Sequence, residues 1–363
     1  MLPAVHPLSG WLRLTLTPGL GPASQRQLLA AFGLPEVIYS ATPGALAAVV
    51  GDATSRLLLE HDANEAVDTA LAWLAEPGNA VLTLGDAAYP AALLEISDPP
   101  VLLYVKGDAG LLSRPSIAVV GARNATPQGE ANAEAFSAAL SSTGLGIVSG
   151  LALGIDAAAH RGGLAGDGRT VAVIGTGADR IYPARNAALA RRIAEAGAIV
   201  SELPLGSGPL AHHFPRRNRL IAGLSRGVLV VEAAVKSGSL ITARLAGDCG
   251  REVFAIPGSI HSPLSRGCHR LIRDGAKLVE SANDILEELR LPAREVAPQQ
   301  ASSPVEGGGD EGCVLTALGH DPVDIETLVH RTSLTPEALY AILLTLELDG
   351  RVSRLPGGRL QRL

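Results

Sequence analysis

The sequence predicts an α/β protein: a Rossmann-like parallel sheet core, a helical domain before it and a winged-helix domain after it. Two observations predict the sheet. Short apolar, β-branched runs recur between residues 80 and 290, and glycine-containing turns lead from them into helical segments. Continuous apolar strands that alternate with amphipathic helices are typical of a parallel sheet covered on both faces. A third observation, three helical segments followed by a short hairpin pattern near the end of the chain, predicts the winged helix.

The first domain is predicted over residues 1–75, where SQRQLLAAF and PGALAAVV read as short helices. Its turn Gly19-Leu20-Gly21 is similar to the turn of SAM or helix-hairpin-helix domains, whose backbone amides can hold a phosphate. The region has few Lys or Arg side chains, which favours a structural role over DNA contact.

The core is predicted over residues 80–290, with strands in SIAVVG, LGIVSG, TVAVIG, AIVS, GVLVVE and EVFAIPG. Residues 291–312 are rich in Pro, Gly, Ser and Gln, which predicts a flexible linker. Residues 313–363 then form the winged-helix domain. Its third helix, PEALYAILLTLELDG, has no Lys or Arg, so phosphate contact in this domain would come from the hairpin arginines, Arg351, Arg354, Arg359 and Arg362.

Charge is distributed unevenly along the chain. The whole chain has a net charge of −6, but residues 111–290 hold 20 Lys/Arg against 15 Asp/Glu. The core is therefore the part suited to an anionic partner. The start of the chain lacks a cationic, apolar leader, and no apolar stretch approaches the length of a membrane span, so we expect a cytoplasmic protein without membrane contact.

Several classes of site are excluded by spacing. The three cysteines form no CxxC pair, and adjacent His212 and His213 lack metal-ligand spacing, so no metal is predicted. The turn GTGADR lacks the third glycine of a dinucleotide fingerprint, and neither a Walker motif nor a GxSxG elbow is present. Glu232 and Asp156 have no partner at a defined spacing. We therefore assign no catalytic residue and no cofactor.

The strand-end turns predict an anion site. Ligands of such sheets bind beyond the carboxyl ends of the strands, where the turns Gly121-Ala122-Arg123 and Ser149-Gly150 fall. Arg123 lies two residues after a strand-ending glycine, so its guanidinium can fork onto a phosphate. An ion pair with a local carboxylate is an equal alternative from this residue alone.

The stretch AHHFPRRNRLIAGLS, residues 211–225, predicts a second part of that site. An aromatic beside a group of cations suits single-stranded nucleic acid, because bases stack on the ring and guanidinium groups hold phosphates. We interpret the stretch as a loop at the rim of the sheet, with Phe214 offered to bases; its cationic and amide members are Arg216, Arg217, Asn218 and Arg219. The alternative is an amphipathic helix with solvated arginines and a core phenylalanine, and the stretch by itself leaves the two equal.

Five segments together resemble the DNA-processing protein A (DprA/Smf) family, over nearly the whole core and in the same order. They are SIAVVGARNAT, VSGLALGIDAAAHRGGL, TVAVIGTGADRIYPARN, FPRRNRLIAGLSRGVLVVEAAVKSGSLITARLA and REVFAIPG. The resemblance implies a non-enzymatic protein that binds and protects single-stranded DNA and helps to load the recombinase RecA onto it in natural transformation and homologous recombination. It also implies a dimer through the Rossmann-like core.

The resemblance assigns roles residue by residue. The family's G-[ST]-R phosphate-binding turn corresponds to Gly121, Ala122 and Arg123, where alanine removes any hydroxyl contact. The family's aromatic and Arg-Asn pair correspond to Phe214, Arg217 and Asn218. Some members carry a DNA-binding lysine where this chain has Ala211, and we expect Arg216 or Arg219 to replace it.

Two other functions stay open. Nucleoside-monophosphate phosphoribohydrolases share the fold type and a strand-end glutamate, but this chain has KSGSLIT where they carry a PGGxGT-type turn. A scaffold for RecA with negligible DNA affinity is the third hypothesis. For the winged helix, protein contact is favoured over double-stranded DNA.

Overall fold

A computed structural model describes residues 6–291, 310–319, 322–355 and 357–362. The predicted linker lies mostly outside the described residues. Helices of the first 300 residues are α1 (Ser9–Leu16), α2 (Pro22–Phe32), α3 (Pro35–Ser40), α4 (Pro43–Val50), α5 (Asp52–Glu60), α6 (Asn64–Leu74), α7 (Ala91–Leu94), α8 (Pro127–Ser142), α9 (Ile155–Ala165), α10 (Ala187–Ala196), α11 (His213–Leu224), α12 (Ser239–Asp248), α13 (Arg266–Arg273) and α14 (Ala282–Glu288). The later helices are α15 (Asp310–Leu318), α16 (Ile325–Thr332) and α17 (Pro336–Leu348).

Eleven strands are found among the described residues. They are β1 (Asn79–Thr83), β2 (Leu102–Gly107), β3 (Ser116–Val120), β4 (Gly146–Ser149), β5 (Thr170–Val173), β6 (Ala198–Ser201), β7 (Gly227–Val230), β8 (Glu252–Ala255), β9 (Lys277–Leu278), β10 (Val352–Arg354) and β11 (Leu360–Arg362). The first nine form one sheet in the order β1-β2-β6-β5-β4-β3-β7-β8-β9. From β6 to β9 all pairs are parallel, which confirms the predicted Rossmann-like core.

The sheet is buried on both faces. Ile117 and Val119 of β3 pack on one face with α8 and α9, whereas Ala118 and Val120 pack on the other with α11 and α12. This alternation follows from the period of two along a strand. Two apolar faces explain why the strands read as continuous apolar runs in the sequence.

The antiparallel strands β1 and β2 differ from the parallel pattern expected over the whole core. β2 pairs antiparallel with both β1 and β6. Side chains of β1 and β2, including Val81 and Tyr104, pack in one apolar cluster with the helices that precede them. The N-terminal region is helical as predicted, and the strands β1 and β2 that follow it extend the sheet.

The last described residues have the predicted winged-helix arrangement, with three helices and the antiparallel pair β10–β11. Leu328, Leu343 and Leu346 are fully buried in its core. Helix α15 begins at Asp310, within the stretch predicted as linker. Acidic residues in a first helical turn are favoured by the helix dipole, and Asp310 and Glu311 occupy that turn.

Candidate nucleic-acid interface

A cleft of about 590 Å³ opens at the carboxyl ends of the central parallel strands. Turns after β3, β4 and β5, the start of α11 and the start of α12 all contribute to its walls. Its lining includes Gly121, Arg123, Ala152, Asp156, Tyr182, Pro209, Ala211, Phe214, Arg217, Asn218, Ser237 and Ser239. The structure therefore brings together the predicted turn at 121–123 and part of the predicted stretch at 214–219.

Arg123 is the exposed cation of the cleft. It follows Gly121, where a Cβ atom would lie 2.6 Å from Ile155 Cγ1, so only glycine allows this close turn. Among the described residues the Arg123 guanidinium makes no ion pair or hydrogen bond. The N–H groups of Arg123 and Asn124 likewise find no acceptor there. The geometry leaves both the cation and adjacent backbone donors available to an anion.

Phe214 lies in the first turn of helix α11, so the interpretation of 214–219 as a loop is wrong. The helix agrees with the alternative interpretation, but the solvated arginines of that interpretation do not hold for Arg217, which is buried. The Phe214 ring is half-buried, and a Cβ atom at Gly175 would lie 2.9 Å from its Cδ1 atom. The Arg123 Cζ atom lies over the ring, 5.6 Å from its centroid, within the range of a cation–π contact.

Arg217 forms the floor of the cleft and is only 6% exposed. Its Nη2 atom donates a hydrogen bond to the Gly150 carbonyl at 3.1 Å. Asp156 accepts hydrogen bonds from the N–H groups of Gly150 and Ala152, at 3.1 and 3.3 Å. Burial lowers the pKa of Arg217 to about 10, although the Asp156 carboxylate opposes that shift. Burial also raises the pKa of Asp156, against the attraction of Arg217. Arg217 is thus held as part of the protein interior.

The turn at Ser149 and Gly150 is occupied by internal contacts. Ser149 is fully buried, and its hydroxyl donates to the Val119 carbonyl at 2.6 Å. A Cβ atom at Gly150 would lie 1.7 Å from Arg217 Nη1, so the absence of a side chain makes room for the guanidinium. Ser149 therefore supports the cleft from beneath, whereas Gly150 also lines a smaller hollow beside Arg123 and Phe214.

Arg216 and Arg219 lie on the other side of α11, where Glu202 holds both. Arg216 Nε pairs with Glu202 Oε1 at 3.2 Å, and Arg219 pairs with the same carboxylate. Arg219 also contacts Asp98, which pairs with Arg26 of α2. Neither arginine lines the cleft, so the structure does not place them where Ala211 lies. Asn218 does line the cleft, with its amide 3.5 Å from the Gly238 carbonyl.

The remaining polar candidates are accounted for by internal contacts. His160 is buried: its Nε2 atom accepts from the Leu151 N–H at 3.2 Å, and its Nδ1 atom lies 2.7 Å from the Thr170 hydroxyl. Glu232 accepts from the N–H and hydroxyl of Thr126, the N-cap of α8. Burial raises the pKa of Glu232. In the described part of the chain no three His, Cys, Asp or Glu side chains are grouped to hold a metal ion.

The winged helix presents an apolar surface on its third helix. Tyr340, Leu344 and Leu348 of α17 are exposed. Of the four arginines singled out there, Arg354 pairs with Glu347 at 3.4 Å. Arg351, Arg359 and Arg362 make no ion pair with the residues that the structure describes.

Sequence reasoning missed several lining residues. Tyr182 follows β5 and lies in the quoted segment RIYPARN, whereas Ser237 and Ser239 belong to KSGSLIT at the start of α12. An aromatic residue in a turn beyond a strand end was the available signal for Tyr182. The helices found among the described residues include none long and apolar enough to cross a membrane.

The fold defines the class: a Rossmann-like α/β protein with an added helical region and a winged helix. A family model described as DNA recombination-mediator protein A matches residues 80–290, and one described as DprA winged helix domain matches residues 296–358. The chain belongs to the DNA recombination-mediator protein A (DprA/Smf) family.

Relatives of known name agree with that assignment. Protein Smf of Escherichia coli is 40% identical over 82% of this chain and 82% of its own length. DNA processing protein DprA of Streptococcus pneumoniae is 53% identical over 56% of this chain and 72% of its own.

Two solved structures are also similar. DprA from Streptococcus pneumoniae has a TM-score of 0.69 at 40% identity and covers 79% of this chain and 99% of its own. DprA from Helicobacter pylori, described for its single-stranded-DNA binding mode, has a TM-score of 0.53 at 32% identity and covers 58% of this chain and 95% of its own.

Proposed function

We propose that this protein binds single-stranded DNA in the cleft at the strand ends, without sequence readout and without catalysis. The observation that carries the proposal is the exposed guanidinium of Arg123, which makes no ion pair or hydrogen bond with the described residues and lies over the Phe214 ring. A cation beside an aromatic wall matches one nucleotide unit, because the cation holds the phosphate and the wall receives the base.

A single strand fits this geometry better than a duplex. Bases are available for stacking only where they are unpaired. In the cleft, the Phe214 ring contacts the Arg123 guanidinium and the Tyr182 ring packs against Phe214. The related Helicobacter pylori protein is described by its single-stranded-DNA binding mode, which supports the proposal.

The biological role that follows is recombination mediation. We propose that the protein protects single-stranded DNA and helps to load RecA onto it in natural transformation and homologous recombination, acting as a cytoplasmic homodimer through its core. The family description, DNA recombination-mediator protein A, supports this role. A non-catalytic role is supported by the carboxylates near the cleft, because both oxygens of Glu232 and one oxygen of Asp156 accept hydrogen bonds from internal donors.

For the winged helix we propose protein contact ahead of duplex DNA. Its third helix would be the reading helix of a DNA-binding winged helix. That helix exposes Tyr340, Leu344 and Leu348, and it has no Lys or Arg.

Binding of a single-stranded oligonucleotide across a salt series tests the cleft. Arg123→Ala is expected to weaken binding by roughly tenfold or more and to reduce the salt slope by about 0.7, the value for one phosphate contact on a single strand. Phe214→Ala is expected to weaken binding by roughly 1–3 kcal/mol and to leave the slope unchanged.

Arg114→Ala is the matched control. Arg114 is exposed and lies before β3, whereas Arg123 lies after it, so the two arginines are at opposite ends of one strand. Equal losses in the Arg114 and Arg123 variants would contradict a localised site. Unchanged affinity in both the Arg123 and Phe214 variants would contradict the cleft, and turnover of nucleoside monophosphates would favour a phosphoribohydrolase-type enzyme instead.

A further inference from the structure

The Phe214 ring has contacts on its two sides that restrict its access to a base. Gly175 lies against the ring, close enough that a Cβ atom there would be 2.9 Å from Cδ1 and 3.1 Å from Cε1. The Arg123 guanidinium lies over the ring at 5.6 Å. A base could stack on that face only by displacing the cation that the phosphate needs.

Tyr182 is the more accessible aromatic residue of the same cleft. Its ring centroid lies 5.7 Å from that of Phe214 with an interplanar angle of 42°, an ordinary aromatic contact distance. Tyr182 is 45% exposed, although it packs against Phe214. It also lines a smaller hollow of about 80 Å³ together with Arg123, Phe214 and Arg217.

Exposed aromatic side chains are uncommon in this chain, which has only 3% aromatic residues. Trp11, Trp73, Tyr89 and Tyr104 are all buried. Ile181 and Leu210, neighbours of cleft residues in the chain, are 42% and 52% exposed. An exposed ring with apolar neighbours beside a free cation indicates a ligand that has both a flat apolar part and an anionic part.

We propose that Tyr182 is the base-stacking residue of the cleft and that Phe214 is a positioning residue behind it. Phe214 fills the space between Gly175, Arg123 and Tyr182, so that it sets the separation of the stacking ring from the phosphate-binding cation. The ligand unit is one nucleotide of a single strand, with its base on Tyr182 and its phosphate on Arg123. This inference rests on the proposed function.

Tyr182→Leu and Tyr182→Phe test the proposal with an oligothymidine probe. Loss of the ring in Tyr182→Leu is expected to weaken binding about 5- to 150-fold with an unchanged salt slope, because a stacked base is lost and no charge is removed. Tyr182→Phe keeps the ring and is expected to bind within about threefold of the wild type. Tyr340→Leu is the matched control, since Tyr340 is 49% exposed but lies in the winged helix.

An abasic strand of the same length separates stacking from backbone contact. Wild-type protein is expected to prefer oligothymidine over the abasic strand, and Tyr182→Leu is expected to lose most of that preference. The Phe214→Leu/Tyr182→Leu double variant is expected to bind no more weakly than Tyr182→Leu, because Phe214 acts through the tyrosine.

The outcomes distinguish the two proposals. If the wild type fails to bind oligothymidine, the proposed function and this inference both fall. The role of Tyr182 alone is overturned if the wild type binds but a folded Tyr182→Leu variant binds equally well. It is also overturned if Phe214→Leu alone weakens binding more than Tyr182→Leu does. An unchanged thermal midpoint of Tyr182→Leu establishes that the variant is folded.

Discussion

The rim and the floor of the cleft each contain an arginine, and the two arginines have opposite environments. Arg123 at the rim is exposed and makes no ion pair or hydrogen bond with the described residues. Arg217 at the floor is buried, bound to the Gly150 carbonyl and close to Asp156. A guanidinium near a strand end is therefore available to bind a ligand when it is exposed, and it stabilises the fold when it is buried.

The floor is a buried polar network in which Asp156 and Arg217 contact the same turn after β4. Asp156 bridges two backbone donors, and Arg217 reaches back to the turn that carries one of them. Buried charges are tolerated when they are paired and hydrogen-bonded, and the removal of one partner is costly. Arg123 at the rim does not need a charged partner in the protein, because water solvates its guanidinium in the absence of a ligand. Four predictions follow from this contrast, in order of expected effect.

Asp156→Ala is expected to have the largest effect on stability. It removes the carboxylate whose negative charge favours the buried Arg217 cation, and it leaves the N–H groups of Gly150 and Ala152 without their acceptor. We expect the free energy of unfolding to fall by about 3–5 kcal/mol. Urea denaturation measures it, with the exposed Asp167→Ala as the control. A loss below about 1 kcal/mol would show that the floor is not a paired network.

Glu202→Gln is expected to lower the free energy of unfolding by about 2 kcal/mol. The Glu202 side chain is only 5% exposed, and its carboxylate pairs with both Arg216 and Arg219 of α11. Glu95→Gln is the control, since Glu95 pairs with Arg251 but is 61% exposed, and we expect a loss of less than about 1 kcal/mol. Chemical denaturation measures both variants. If both lose the same amount of unfolding free energy, the ion pairs of Glu202 contribute no more than an ordinary surface pair.

His160 should make stability fall in mild acid. Burial lowers its pKa to about 3, below its ordinary value of 6.5, so the folded state excludes a proton that the unfolded state binds. The contribution of His160 is fully present above pH 6.5 and is lost as pH falls toward 3. Between about pH 7.5 and 5.5 the loss is about 1.4 kcal/mol. His160→Gln should remove that part of the pH dependence of stability. The prediction is wrong if the variant loses as much unfolding free energy between these two pH values as the wild type does.

Arg123→Ala is expected to have the smallest effect on stability, within about 0.5 kcal/mol of the wild type, because the side chain is exposed and unpaired. The same variant should lose DNA affinity. Thermal unfolding measured beside the binding titration checks both parts. A clear loss of stability would mean that Arg123 serves the fold as Arg217 does.

The sheet was predictable because its strands bury both faces and end in glycine turns. Arg123 was placed correctly beyond a strand end by the same logic, since it lies two residues after Gly121, the glycine that follows β3. The direction of β2 was not predictable, because a strand buried on both sides reads the same whether its neighbours are parallel or antiparallel.

The environment of Arg217 was beyond sequence reasoning. Its burial depends on Gly150 and Asp156, which come from the turn and helix after β4 and approach α11 only when the sheet has formed. The two sides of α11 were unpredictable for the same reason. Arg216 and Arg217 are neighbours in sequence, but Arg216 pairs with Glu202 and Arg217 binds the Gly150 carbonyl beneath the cleft. Tyr182 was missed because nothing in its local pattern states that it meets Phe214.

The antiparallel strand β2 has a consequence for any shortened form of the protein. It covers one side of β6, so a chain that started after residue 110 would expose the N–H and C=O groups of Ala198–Ser201 as a new sheet edge. Unprotected edges of that kind pair with other chains and promote aggregation. Strand β2 therefore protects an edge of the sheet that would otherwise be open to pairing, and isolated cores of this protein will need a substitute for it.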